Sequence, residues 1–194
     1  MALRARPGHK TNSGAHSSEA LLQAVTSCIG EILSADSLRV ALPHALLSMG
    51  RTVRIDRLVI IEKPSGGDNT KLTPQIFFIW NSEDSPNVDV GAVIEKSRAR
   101  EAMEEWLRPL RQGEAVSIVR RLVTGTMHDL VTELQIVSTL LVPMMLDGSY
   151  CGELIFDDCR GEHEWTAVQI NILKLLADFI GMVVMRERVR EELR

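Results

Sequence analysis

The stretch Phe156-Asp-Asp-Cys-Arg-Gly-Glu-His-Glu-Trp165 holds two aspartates, a cysteine, two glutamates and a histidine within ten residues. These side chains are the ligands of zinc and the groups of acid–base and nucleophilic catalysis. Such chemistry needs convergence, and the spacing does not supply it. Cys159 and His163 are four residues apart, and no CxxC or paired Cys/His arrangement with zinc spacing occurs in the chain. The local pattern fits a turn between two elements. Phe156 ends an alternating apolar run, and Gly161 permits a sharp bend. Glu162 and Glu164 precede a helix that Thr166 can cap, where negative charge suits the helix dipole, and Trp165 offers an apolar anchor. The reading is therefore structural, with no metal site and no catalytic residue. A zinc site and a redox thiol are the alternatives, separable by zinc content and thiol reactivity.

Elsewhere, catalytic signatures are missing. P-loop, GxSxG and HExxH patterns do not occur. The cysteines, Cys28, Cys151 and Cys159, are odd in number and widely spaced, which points to a reducing, cytoplasmic setting. The net charge is −4, so no global basic field argues for a nucleic-acid partner. Met1 to Gly14 is basic and polar and lacks the apolar region of a secretory signal. No uninterrupted apolar run reaches the ~18 residues of a membrane span, so no membrane partner is expected.

The elements that position these residues follow from periodicity. Residues 1–17 carry Gly, Pro, Ser and basic residues without periodicity and read as a disordered leader. A helix carries Leu21, Leu22, Val25, Ile29 and Ile32; a second carries Leu38, Ala41, Leu42, Ala45, Leu46 and Met49, with Pro43 expected to kink it or delay its start. Val53 to Glu62 alternates as a strand, SGGDNT is a turn, and PQIFFIWN is a second strand. VIEKSRAREAMEEWLRPL reads as one amphipathic helix, with Ala99, Ala102, Met103, Trp106 and Leu110 on a face and a Glu104–Arg108 pair. Val116 to Val123 is a strand, and TGTMHDL a loop or short helix. Two β-rich runs then flank Asp147-Gly148, a hairpin turn pair, and Thr166 to Arg194 is a long helix. Strands joined by tight turns with helices on their faces give an α+β domain.

LQIVSTLLVPMMLDGSYCGELIFDD resembles the sheet core of GAF domains, through Ser138, Val142, Pro143, Gly152, Leu154 and Phe156. EWTAVQINILKLLADFIGMVVMRER is similar to the closing helix of that family, and ALPHALLSMGRTVRIDRLVIIE to its opening helix and first strand. The resemblance covers roughly residues 18 to 190, most clearly 134 to 190. It implies a GAF/PAS-like fold: a six-stranded antiparallel sheet with a terminal-helix bundle on one face and loops and short helices on the other. The domain is assigned to 18–185, and 186–194 to the start of a C-terminal signalling helix. The family's ligand face would draw its lining from Phe78, Trp80, Trp106, Met127 and His128. The cyclic-nucleotide signature and the bilin-attachment motifs of the family do not occur here, so no cofactor is identified.

The closing helix carries Val168, Ile172, Leu175, Phe179, Met182, Arg186, Val189 and Leu193 at alternating gaps of four and three, a heptad stripe broken by Arg186. A second stripe holds Leu173, Leu176, Ala177, Ile180 and Val184. One face would pack on the domain's own sheet, and the other on a partner. Ile172, Leu175, Phe179, Met182, Val189 and Leu193 are the expected homodimer seam. With the resemblance, the expectation is a non-catalytic sensory domain of a bacterial-type signalling protein. It would bind a small-molecule ligand, dimerise through its terminal helices and drive an output module beyond Arg194, such as a kinase, nucleotide cyclase or transcription activator. A ligand-free dimerisation scaffold and a GAF-fold free methionine sulfoxide reductase are the alternatives.

Overall fold

The computed structural model describes residues 18–63, 75–95 and 106–193. In it, strand β1 (Arg57–Glu62, RLVIIE) is buried at every position. An apolar run of this kind needs cover on both faces of its sheet. Its neighbours are β2 (Gln75–Asn81) on one side and β5 (Ser149–Asp158) on the other; β4 (Ser138–Leu146) and β3 (Val116–Val119) complete the order β2-β1-β5-β4-β3. Every pairing is antiparallel. The sheet has five strands among the described residues, not the six that the resemblance implied. The Val116–Val123 run contributes only four strand residues, because the chain turns into a 3-10 segment at Arg120–Leu122.

Asp147 and Gly148 make the β4–β5 hairpin turn, with φ of 51° and 75°. Positive φ at both central residues is the turn geometry that matches strand twist. Close to it, Gly152 has φ 153°, and a Cβ there would lie 2.2 Å from the Ile61 carbonyl oxygen. Only glycine lets β1 and β5 approach at this point.

One face is covered by α1 (Ser18–Ser34), α2 (Leu38–Val53) and α6 (Ala167–Glu192). Leu58, Ile60, Leu140, Val142, Leu154 and Phe156 point to it and meet Leu21, Leu46, Leu173 and Ile180 in one core. The other face carries Val59, Ile61, Leu141 and Ile155 beneath α3 (Val90–Glu95), the helical residues 106–111 (α4) and α5 (Gly125–Glu133). The single amphipathic helix expected between residues 93 and 110 is described only at its ends; Ala99, Ala102, Met103 and Glu104 lie outside the described residues, as do residues 1–17. α2 runs through Pro43, which stands near its start. A proline there removes one backbone hydrogen bond in the second turn.

The long helix divides as its two stripes require. Leu173, Leu176, Ala177, Ile180 and Val184 are buried in the core, whereas Leu175 is 64% and Met182 47% exposed. Val168, Val189 and Leu193 are exposed as well; Ile172 is buried, and Phe179 packs at the core margin. Within Ala167–Arg190 an 18-residue window has a mean hydropathy of 1.7, enough by length and composition for a membrane span despite the interspersed polar residues. The buried stripe accounts for that value as the core face of an α+β domain.

Candidate functional site

The FDDCRGEHEW stretch proves to be a braced turn. Asp158 Oδ1 accepts from the backbone N–H groups of Arg160 and Gly161, closing the bend. Asp56 Oδ2 accepts from the Cys159 N–H at 2.8 Å, and Asp56 Oδ1 pairs with Arg160 at 2.6 Å. Ser138 Oγ donates to the Gly161 carbonyl and accepts from the His163 N–H. Trp165 stacks on His163 with ring centroids 4.0 Å apart. Thr166 and Gln169 then form a capping box: Thr166 Oγ1 accepts from the Gln169 N–H, and Gln169 Oε1 accepts from the Thr166 N–H. Among the described residues no three His, Cys, Asp or Glu side chains are grouped to hold a metal. Burial pushes the Cys28 and Cys159 thiols up to about 12 and Cys151 to about 11, so none of them is a ready thiolate.

The unmet buried polar groups begin with Asp157 of the same stretch, on the other face of β5 from Asp158. Strand alternation puts Asp157 opposite Thr139 on β4 and Arg57 on β1, a polar row across three strands. All of these side chains are buried. Arg57 Nε donates to Asp157 Oδ2 at 2.8 Å, and Arg57 Nη2 donates to the Leu134 carbonyl at 2.9 Å, just past the end of α5. Arg57 thus ties the acid to the helix layer above it. Burial pushes the Asp157 carboxyl up from its ordinary value, and the Arg57 charge opposes that shift. Asp157 Oδ1, Thr139 Oγ1 and Arg57 Nη1 have no hydrogen-bond partner of good geometry. Asp157 and Thr139 border a cavity of about 30 Å³, whose other walls are apolar and include Val59, Ile94, Trp106 and Ile155. Further along β5 on the same face lies Glu153, wholly buried, with both carboxyl oxygens unpartnered. Burial raises its pKa to about 8, against a smaller opposing pull from Arg111.

The residues named from the sequence as ligand-face lining separate. Trp106 lines the cavity, and Met127 is buried in the same cluster. Phe78 and Trp80 pack against the helix-covered core on the opposite face. The reason for Trp80 is Gly50 of α2, where a Cβ would lie 2.3 Å from the indole ring. His128 is exposed on α5. The polar row was missed because Arg57, Thr139 and Asp157 are ordinary surface residue types. The available signal was their alternation: each keeps the parity of Val59, Leu141 and Ile155 on a strand otherwise buried.

A small recess beneath short helices, opposite a face sealed by terminal helices, agrees with the layout the resemblance implies. The GAF domain family matches residues 18–184. This chain belongs to the GAF domain family. A GAF domain of a putative sensor histidine kinase from Pseudomonas syringae pv. tomato has a similar fold, with TM-score 0.57 and 17% identity over 93% of this chain and 97% of that one. The GAF domain of PixJ from Thermosynechococcus elongatus, in its blue-light absorbing form, gives TM-score 0.54 and 21% identity over 90% of this chain and 92% of that one. In sequence, a 58-residue segment, 30% of this chain, is 38% identical to the methanogenesis regulatory histidine kinase FilI of Methanothrix harundinacea. The curated relatives are far longer, and this GAF domain spans 11% of one and 6% of the other.

Proposed function

We propose that this GAF domain is a non-catalytic, cytoplasmic sensory module that dimerises through its closing helix and passes a ligand-dependent signal to an output module further along the polypeptide. The observation that carries this reading is the division of α6. Its inner stripe is core, while Val168, Leu175, Met182 and Val189, spaced seven apart, remain exposed on the outside. Heptad spacing on one narrow face suits a coiled-coil partner, here a second copy of the same helix. The helix is also coupled to the cavity. Lys174 Nζ donates to the Gly113 carbonyl at 2.7 Å, beside the end of α4, whose Trp106 forms a cavity wall. Arg188 pairs with Glu62 at the end of β1. A ligand that moves α4 would change the Lys174 contact, provided its affinity differs between two helix arrangements. The kinase-associated relatives favour a histidine kinase as the output.

Native mass spectrometry of the purified chain, compared with a denatured sample, tests both parts at once. A dimer carrying a defined extra mass is the expected result; a monomer overturns the seam. Light scattering of Leu175→Glu combined with Met182→Glu should show monomers, since both side chains are exposed and their loss leaves the core intact. A dimer of unchanged mass would refute the assignment.

A ligand-free scaffold is the second reading, favoured by the small volume of the cavity, about 30 Å³. A ligand-free dimer in the same spectrum would support it. The methionine sulfoxide reductase alternative finds no support in thiols pushed to about 11 or 12 by burial.

A further inference from the structure

We propose that the cavity beneath Trp106 takes a small, largely apolar ligand whose buried end is a neutral N–H donor, received by Asp157 Oδ1 and Thr139 Oγ1. The inference rests on the sensory reading and gives the ligand a chemical class. Both acceptor atoms are buried and lie on cavity-lining residues; the Thr139 hydroxyl approaches the Asp157 carboxyl, but neither Asp157 Oδ1 nor Thr139 Oγ1 makes a hydrogen bond of good geometry, and each keeps lone pairs unmet. A buried acceptor without a donor is costly, and a water or a ligand group must meet it. The free space of about 30 Å³ is room for one or two water-sized groups, so it takes only the N–H tip of a ligand. The ligand body then lies where Ile94 and Trp106 now close the site, so its walls reward apolar surface.

Charge decides between kinds of donor. Arg57 Nε already neutralises Asp157 at 2.8 Å. A cationic head would leave net positive charge among apolar walls, and an anionic one would face the lone pairs of Asp157; both are expensive to bury. A neutral amide, lactam or heteroaromatic N–H avoids either penalty. An ester or ether of the same shape brings only acceptors and leaves Asp157 unmet.

The test uses three five-membered rings: pyrazole (neutral N–H), isoxazole (no N–H) and pyrrolidinium (cation). The readout is the indole N–H signals of the protein in two-dimensional NMR during millimolar titrations. The tryptophans report separately, since Trp106 lines the cavity while Trp80 faces the helix side and Trp165 the turn. Pyrazole should shift the Trp106 signal alone and bind at least tenfold more tightly than either other ring. Thr139→Val, which removes one acceptor and keeps the branched shape and the Arg57–Asp157 pair, should weaken pyrazole about tenfold. Equal binding by isoxazole, stronger binding by pyrrolidinium, no Trp106 shift with any ring, or an unaltered Thr139→Val affinity would each overturn the proposal. A purified chain that carries a ligand without an N–H group would defeat this assignment and leave the sensory reading standing.

Discussion

The two faces of the sheet solve different problems with the same strands. Toward α1, α2 and α6 the sheet presents apolar residues that join the helices in one continuous core, and the buried polar groups of the same parity, Ser138 and Glu62, are bonded to the Gly161 carbonyl and to Arg188. Toward α3, α4 and α5 it presents Arg57, Thr139, Glu153 and Asp157 among the aliphatic residues, and every unpartnered buried side-chain atom found among the described residues belongs to these four. Satisfied apolar packing stabilises; partly satisfied polar groups in a dry environment do not, and they concentrate where a site must respond to something. The face under α1, α2 and α6 therefore supplies stability, and the opposite face holds the unmet polar groups.

The sharpest way to break this comparison is to remove the charge at the centre of the polar row. Arg57→Met strands the Asp157 carboxylate in the interior and should cost about 3–5 kcal/mol in denaturant unfolding, and Arg57→Met with Asp157→Leu should recover most of it. If the single variant loses less than about 1 kcal/mol, the row is better hydrated than its burial implies.

Glu153 gives the next largest effect, with a definite sign. Folded Glu153 holds its proton up to about pH 8, whereas the ordinary value is 4.5. The folded state thus binds more protons between these values, so stability is full below 4.5, falls as pH rises and levels off above about 8. Glu153→Gln should remove that slope and gain about 2–4 kcal/mol over the parent at pH 9, with little difference at pH 4. Parallel pH–stability curves for the two proteins would show that Glu153 is not held neutral.

The helix-covered face should respond to volume and not to pH. Gly50→Ala places a methyl group against the Trp80 ring and should cost about 1–3 kcal/mol at every pH, through overpacking. It should leave the Trp106 indole signal in place, since that residue lies across the sheet. Movement of Trp106 in this variant would mean that the two faces are not mechanically separate.

Much of the fold was legible in the sequence because its signals are local. The Asp147-Gly148 turn needs positive φ, and the two stripes of α6 follow from 3.6 residues per turn. The turn reading of FDDCRGEHEW was legible for the same reason, in Gly161 and Thr166, whereas the reciprocal Gln169 cap came from the structure. What pairs with what was not. Trp80 was expected on the ligand face from its place on the second strand, but strand parity and the absence of a Cβ at Gly50 turn it to the helices.

By itself, the sequence determined the order of elements, the two-sided character of the closing helix and the lack of a catalytic or metal motif, since each depends on neighbours a few residues apart. The tertiary structure decided which side chains share a site. Arg57, Thr139 and Asp157 come from three strands, 100 residues apart at the Arg57–Asp157 bond, and each is unremarkable alone. Only burial in one row turns an arginine, a threonine and an aspartate into a site, because the cost of an unmet polar atom exists only once water has been removed.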